Sequence, residues 1–271
     1  MSTPQADAPS LSEEQVHALA VQLDDAVQSV SLQTMLSASV PLSLADGYRV
    51  QRAGISLRKL RGDGLVGMKM GLTSRAKMEQ MGVHNPIYGH LTQQMRLEDG
   101  GVLPYPKLCH PRVEPEVAFL LGRELRGPVS PAEALLCVEG VCAALEIIDS
   151  RYRDFKFTLP DVVADNASSS YFVLGQTVKD HASLDLGNLG MVMEINGVTS
   201  QIGSSAAIYE HPARSLATLA NLVAELGESV PAGSVVLAGG ATAAVALQPG
   251  DHVQLRVDGL RTASFTVSAA E

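Results

Sequence analysis

The first sixty residues of the chain carry hydrophobic positions at helical spacing. A first helix is predicted to begin after Ser10, which is spaced as a capping box with Glu13. Its buried face is predicted to consist of Val16, Leu19, Leu23 and Val27. A second helix is predicted to begin near Ser43, with Asp46 as the reciprocal cap, and to run to about Leu60.

The pattern changes after this helical part. Arg61-Gly62-Asp63-Gly64 interrupts the helical spacing, and shorter apolar runs punctuated by Gly and Pro follow. We therefore predict a flexible N-terminus over residues 1–10, an N-terminal helical segment over 11–64, and a β-rich catalytic domain over 65–271. Within that domain, strands are predicted at 65–70, 112–121, 145–148 and 234–237.

Two hairpins and an amphipathic helix are also predicted. Residues 191–202 and 253–267 alternate in hydrophobicity around the turn dipeptides Asn196-Gly197 and Asp258-Gly259. A helix is predicted to begin at His211-Pro212. Its inward positions are predicted to be Leu216, Leu219, Leu222, Val223 and Leu226. Because antiparallel hairpins dominate and no βαβ rhythm is present, the fold class is α+β, mixed and β-rich.

The composition indicates a folded domain and argues against a nucleic-acid-binding or membrane-spanning protein. The chain has 271 residues, of which 46 % are hydrophobic and 18 % charged, as in a folded domain with a substantial core. A net charge of −9 without a run of Lys and Arg argues against nucleic acid as a partner. No apolar stretch approaches the roughly 20 residues that span a bilayer, and the polar start lacks a signal-peptide pattern. We expect a cytoplasmic protein with three free thiols, Cys109, Cys137 and Cys142.

Two glutamates in the predicted strand 112–121 carry the strongest chemical signal. Glu114 and Glu116 flank Pro115 and project from the same face of an extended strand. A third acid, Glu146, follows thirty residues later in an apolar run. Two adjacent carboxylates repel each other, and a hard divalent cation relieves that repulsion, with oxygen ligands favouring Mg²⁺ or Mn²⁺ over zinc. The alternative is a pair of solvated acids on an exposed strand edge.

Lysine and arginine residues near these acids have two interpretations each. Lys69 ends a short strand, where a lysine is usually a solvated surface charge. Beside a metal site it would bind an anionic substrate or move a proton, because burial and a neighbouring cation depress its pKa. The run from Arg151 to Lys156 is either a charged surface loop or the source of a cation that neutralises a substrate carboxylate.

Two further segments contain small or polar residues of the kind that contact ligands. Residues 165–170 are either a plain turn or a source of hydroxyl and amide donors. Residues 239–244 begin with two glycines, which let the backbone approach another group closely. The histidines show no ligand-like spacing, and we expect ordinary roles for His84, His90 and His110.

Five segments occur in an order that resembles the fumarylacetoacetate hydrolase superfamily, in its hydratase and decarboxylase branch. They are Lys69–Ser74, Arg112–Phe119, Leu145–Arg151, Ala164–Ser169 and Ala238–Ala244. The resemblance extends from about residue 11 to 267 and implies a roll or sandwich fold of that family. Pro115 is a departure, because a small residue is expected there; it should leave the ligands unaltered.

The resemblance also implies roles for individual residues. Mg²⁺ or Mn²⁺ would be held by Glu114, Glu116 and Glu146. Lys69 would be catalytic, assisting charge stabilisation or proton transfer. The substrate would be contacted by Leu72, Ser168 and Thr242.

Two activities of the branch compete. The implied reaction is metal-dependent decarboxylation of 2-oxo-3-hexenedioate (4-oxalocrotonate) to 2-hydroxypenta-2,4-dienoate in meta-cleavage degradation of aromatic compounds. The alternative is hydration of 2-oxopent-4-enoate (vinylpyruvate). In Pro86-Ile87-Tyr88-Gly89 an isoleucine stands where such hydratases tend to carry an acid, and the 240–244 segment is similar to the decarboxylases. Carbon–carbon bond hydrolysis and a non-enzymatic binding module are further alternatives. The resemblance also implies a homo-oligomer and a complex with a vinylpyruvate hydratase.

Overall fold

Two long helices open the described part of the chain. The computed structural model describes residues 10–74, 78 and 86–270. Helices α1 (Glu13–Gln28) and α2 (Leu44–Leu60) are both present, as the hydrophobic spacing predicts. They pack against each other and bury an apolar cluster with Tyr152 and Ala164 from later in the chain.

The caps of these helices correct one prediction and confirm another. Ser12, not Ser10, caps α1: its hydroxyl accepts from the N–H of Gln15 while the Gln15 side chain accepts from the N–H of Ser12. The prediction at Ser10 is wrong because Ser10 donates its N–H and hydroxyl to Asp46. Ser43 caps α2 as predicted, accepting from the N–H of Asp46. The reciprocal contact predicted for Asp46 differs, because its carboxylate accepts from the Ser43 hydroxyl and from Ser10.

The remaining elements within the described residues are two sheets, three shorter α-helices and several single-turn 3₁₀ helices. The helices are α3 (Pro131–Leu135), α4 (Leu159–Ala164) and α5 (Pro212–Ala224). The strands are β1 (Leu65–Gly71), β2 (Ile87–Thr92), β3 (Arg96–Leu97), β4 (Gly101–Leu103), β5 (Arg112–Leu121), β6 (Val138–Ile148), β7 (Ser169–Leu174), β8 (Gly190–Ile195), β9 (Val198–Ser204), β10 (Val235–Leu237), β11 (Val245–Ala246), β12 (His252–Val257) and β13 (Ala263–Val267).

Strand β5 lies in the middle of the larger sheet. The order of this sheet is β2-β1-β10-β5-β6-β7-β3, with β11 also paired to β5. The smaller sheet has the order β4-β13-β12-β8-β9 and contains both predicted hairpins. In the first hairpin, Asn196 and Gly197 have φ of 55° and 77°, as a type I′ turn requires. The mixed α+β class predicted from the pattern is confirmed.

Two predicted boundaries differ from the structure. Strand β6 begins at Val138, seven residues before the predicted start at Leu145. Alanine has little intrinsic preference for strands, but pairing with β5 fixes Ala143 and Ala144 in the sheet, and Ala144 is also paired with β7. Leu226, predicted to face inward, is 47 % exposed because helix α5 ends before it.

The two faces of β5 and β6 have different environments. Alternate residues of both strands join the main apolar core, which they share with the smaller sheet and α5: Val113, Val117, Phe119, Leu121, Val141, Ala143, Leu145 and Ile147. The intervening residues lie on the opposite face of the sheet. That face carries Glu114, Glu116 and Glu146, so the hydrophobic core anchors both strands while their other face supplies the acids.

Candidate active site

Strand pairing brings the three predicted glutamates together. Glu114 of β5 is paired directly with Glu146 of β6, and Glu116 lies two residues further along the same face of β5. One carboxylate oxygen from each of the three residues lies within 4.8 Å of the others. The register between β5 and β6 runs without a shift past Pro115, so this departure from the expected small residue leaves the strand intact.

These carboxylates are buried. Glu116 and Glu146 are 0 % exposed and Glu114 is 7 % exposed, so the alternative of solvated acids at a sheet edge is excluded. The N–H of Gly239 donates to Oε2 of Glu116 over 2.7 Å. Oε1 of Glu116 and Oε1 of Glu146 accept no hydrogen bond from the described residues. Buried carboxylate oxygens without donors are costly, and a hard cation satisfies them.

Proximity and burial also raise the pKa of two of these carboxyl groups. Burial raises the pKa of Glu116 well above its ordinary value, and the charges of Glu146 and Glu114 add to the effect. The pKa of Glu146 is raised as well, first by burial, although Lys69 opposes the shift. Glu116 and Glu146 therefore hold protons more tightly than exposed carboxylates do.

The predicted glycine segment lies against the cluster. The backbone there follows β5, since the N–H of Ala241 donates to the carbonyl of Pro115 over 2.9 Å. A Cβ added to Gly240 would lie 2.5 Å from Oε2 of Glu114. A Cβ added to Gly239 would lie 2.1 Å from the hydroxyl oxygen of Thr73. Gly240 thus leaves the space that the Glu114 carboxylate occupies, and Gly239 leaves the space of the Thr73 hydroxyl.

Lys69 is a buried partner of the cluster, so its interpretation as a surface charge is wrong. It is 3 % exposed, and its Nζ lies 3.1 Å from Oε2 of Glu146. It also donates to the carbonyl of Ala167 over 3.1 Å. Burial lowers the pKa of this ammonium, but the three carboxylates outweigh it and raise the pKa of Lys69 above its ordinary value. The predicted depression of this pKa depends on a bound cation and stays a prediction.

A strained turn supplies that carbonyl. Asn166, Ala167 and Ser168 have φ of 51°, 52° and 57°, in the left-handed region that non-glycine residues rarely adopt. The Asn166 amide holds the turn, accepting from the N–H of His90 over 2.8 Å and donating to its carbonyl over 2.9 Å. The hydroxyl of Ser168 is buried and forms no hydrogen bond with the described residues. The turn therefore offers an unused hydroxyl beside Lys69.

Arg151 supports the same turn and is not a surface cation. It is 3 % exposed, and its Nε lies 2.5 Å from Oδ1 of Asp165. Its terminal nitrogen also donates to the carbonyl of Asp165 over 2.9 Å. The interpretation of this part of the run as a charged surface loop is wrong, because Arg151 is committed to a buried ion pair. Sequence reasoning missed Asp165 as its partner.

A cavity of about 640 Å³ opens onto the carboxylate cluster at Glu114, whereas Glu116 and Glu146 do not line it. Of the predicted site residues, Lys69, Leu72, Glu114 and Ser168 line it. Ile87 adds an apolar wall. The rest of the lining is Met35, Gly71, Arg112, Ile148, Phe155, Lys156, Phe157, Val162, Ala167, Ala243 and Ala244.

Thr242 is placed differently from the other predicted contacts. Its hydroxyl donates to the carbonyl of Ala243 over 3.2 Å, and a Cβ on Gly203 would lie 2.7 Å from its methyl group. The neighbours Ala243 and Ala244 line the cavity in its place. A substrate contact by Thr242 stays a prediction.

The histidines and cysteines near the site have structural surroundings. His84 lies outside the described residues. The ring of His90 is buried, which lowers its pKa to about 4, and His110 stacks on Phe155. All three cysteines are free, and burial raises the pKa of Cys142 to about 12. No described helix has the length and apolar character needed to cross a bilayer.

Comparison with known proteins identifies the family. The family model for the fumarylacetoacetate (FAA) hydrolase C-terminal domain matches residues 69–268. A 4-oxalocrotonate decarboxylase from a Pseudomonas species is 50 % identical over 250 residues, covering 92 % of this chain and 97 % of that protein. A 2-hydroxyhexa-2,4-dienoate hydratase from Comamonas testosteroni is 37 % identical over 227 residues, covering 83 % and 86 % respectively.

A solved structure shares the whole fold. The 4-oxalocrotonate decarboxylase from Pseudomonas putida G7, complexed with magnesium and adipate, superposes with a TM-score of 0.93 at 42 % sequence identity. The match covers 96 % of this chain and 100 % of that one. The matched model spans most of the chain and includes the glutamates, Lys69 and the glycine segment. The chain therefore belongs to the fumarylacetoacetate hydrolase family.

Proposed function

We propose that this protein decarboxylates 2-oxo-3-hexenedioate (4-oxalocrotonate) to 2-hydroxypenta-2,4-dienoate with a divalent cation. The observation that carries the proposal is the buried group of Glu114, Glu116 and Glu146, with Lys69 beside it on the wall of a cavity. The compared proteins named as decarboxylases are 41 % to 50 % identical to this chain, whereas the compared proteins named as hydratases are 36 % to 37 % identical.

The donor set fits a hard cation. Three carboxylates supply oxygen ligands only, and two of their buried oxygens lack a donor among the described residues. Such ligands suit Mg²⁺ or Mn²⁺ better than zinc. When bound, the cation supplies Lewis-acid stabilisation for the negative charge that develops on the C2 oxygen of a 2-oxo acid.

The side chains around the cluster have separate tasks in this reaction. The Lys69 ammonium adds positive charge at the keto-acid end and is placed to move a proton. The unused hydroxyl of Ser168 donates to substrate oxygen. Leu72 and Ile87 present apolar surface to the cavity, which keeps water from the conjugated product. The distal C6 carboxylate leaves as carbon dioxide because the electrons of the C5–C6 bond are delocalised through the conjugated system toward the C2 oxygen.

The assay that tests the proposal measures carbon dioxide released from 2-oxo-3-hexenedioate with Mg²⁺, with Mn²⁺ and with excess chelator. Release that depends on the cation is expected. Parallel incubation with 2-oxopent-4-enoate tests the hydratase alternative. Hydration of that compound without carbon dioxide release from the diacid would contradict the proposal, and so would full activity in chelator.

Binding of the cation is expected to compete with protons. Since burial raises the pKa of Glu116 and Glu146, these groups take up protons as the pH falls through their raised pKa values. The affinity for Mg²⁺ is therefore expected to rise with pH over that range, and binding is expected to release protons. Calorimetry in two buffers of different ionisation enthalpy measures both quantities. Affinity that falls as the pH rises would contradict this account.

Self-association and a complex with a vinylpyruvate hydratase stay predictions drawn from the resemblance. The cytoplasmic location, inferred from composition and the free thiols, and the division of the chain at residues 10 and 64, inferred from the hydrophobic pattern, also stay predictions. Met35, from the N-terminal segment, lines the cavity together with residues of the β-rich part. We propose that both parts of the chain enclose the substrate.

A further inference from the structure

Arg112 lies on the cavity wall in line with the carboxylate cluster. It is two residues before Glu114 on β5, so both side chains project from the same face. Two residues of a strand span about 7 Å. That is close to the length of an extended six-carbon diacid, so a substrate held at the cluster by its keto-acid end would bring its far end near Arg112.

The guanidinium of Arg112 is held by a ring instead of an acid. Its central carbon lies 4.1 Å from the centroid of the Phe155 ring, which stacks in turn on His110 at 4.3 Å. No ion pair joins Arg112 to a carboxylate within residues 10–74, 78 and 86–270. By contrast, six other arginines of this acidic chain are each paired with an Asp or a Glu: Arg49, Arg61, Arg126, Arg151, Arg214 and Arg256.

A second cation lines the cavity next to the same ring. Lys156 directly follows Phe155, and its side chain is 78 % exposed. Its nearest acid, Asp154, is similarly exposed and lies 3.8 Å from Nζ. Such an exposed pair is weak and leaves the ammonium available to another anion. Arg112 and Lys156 therefore place two positive charges around Phe155 on the wall that also carries Glu114.

We propose that Arg112 and Lys156 bind the distal carboxylate of the oxo-diacid and make the cavity selective for dicarboxylates. This inference rests on the proposed function, because it needs a substrate with a second acid. When the C5–C6 bond breaks, its electron pair passes into the conjugated system and neutral carbon dioxide departs. The charge that these cations bind is thus lost during the reaction. Their contacts stabilise the bound substrate more than the transition state, so their removal raises KM and weakens the preference for diacids without lowering kcat.

The test compares binding of 2-oxoadipate and 2-oxohexanoate, two saturated 2-oxo acids of equal length that differ in the distal carboxylate. Calorimetry with Mg²⁺ measures both for the wild type, Arg112→Met and Lys156→Met. Arg112→Met is expected to weaken 2-oxoadipate binding about tenfold or more, and Lys156→Met about two- to fivefold. Binding of 2-oxohexanoate is expected to be unchanged in both. Arg153→Met is the matched control, since Arg153 is exposed on the same segment and does not line the cavity.

Two further measurements distinguish the loss of the Arg112 charge from a structural effect of the substitution. Arg112→Lys keeps the charge and is expected to restore part of the preference for the diacid. In turnover of 2-oxo-3-hexenedioate, the Met variants are expected to raise KM without lowering kcat. Equal weakening of both ligands, or an unchanged preference for the diacid, would overturn the inference. Because binding is measured without turnover, failure of this inference is distinguishable from failure to release carbon dioxide.

Discussion

Replacing Glu116 by Gln is expected to lower cation-dependent turnover about 10³-fold or more. The amide keeps the shape of the side chain, and its oxygen still accepts from the N–H of Gly239. It removes one charged ligand from a site made of three. The fold is expected to persist, since the ionised carboxylate at this position is disfavoured by burial and by its neighbours. Carbon dioxide release and Mg²⁺ affinity measure the loss, and thermal melting in chelator measures the fold.

The matched control for this variant is Glu139→Gln. Glu139 lies on the adjacent strand β6 but is exposed and outside the cluster. It is expected to keep wild-type turnover and cation affinity. Wild-type turnover by the Glu116 variant would show that the three carboxylates do not act as one cation site. Unfolding of that variant would contradict the claim that the carboxylate is not needed for the fold.

Replacing Lys69 by Met is expected to lower kcat by about 10²- to 10⁴-fold, the range for a residue that transfers a proton or stabilises charge. The same substitution is not expected to weaken cation binding. Lys69 places a positive charge 3.1 Å from Glu146, and removing that charge leaves the carboxylates more negative. Affinity for Mg²⁺ is therefore expected to be equal or higher. Single-turnover kinetics and calorimetry measure the two effects separately.

Two outcomes would contradict the role given to Lys69. One is turnover within a few-fold of the wild type. The other is loss of cation binding in parallel with activity, which would make the lysine a structural support of the cluster. Lys179→Met is the matched control, because Lys179 is exposed and does not line the cavity. It is expected to leave both measurements unchanged.

Local patterns predict the elements of this fold well, and they predict part of the site. The spacing of Glu114 and Glu116 on an extended strand places both on one face. The turn dipeptides and the spacing of α1 and α2 likewise depend on neighbours in sequence. The predicted cap at Ser10 is wrong because the Ser10 hydroxyl donates to Asp46, a partner 36 residues away.

Long-range pairing decides the features that the sequence could not predict. The pairing of Glu146 with Glu114 depends on the register between β5 and β6. The burial of Lys69 depends on the insertion of β10 between β1 and β5. The partner of Arg151, Asp165, lies 14 residues away in a turn whose backbone conformation no local pattern signals. Arg112 was within reach of sequence reasoning, because it shares the two-residue period of the glutamates.

The central claim is that Glu114, Glu116 and Glu146 hold one divalent cation. Anomalous diffraction from crystals soaked with Mn²⁺ tests it most directly. We expect one anomalous peak in the cavity, within about 2.0–2.3 Å of an oxygen from each of the three carboxylates. A peak bound elsewhere, or one that contacts fewer than three of these residues, would contradict the account.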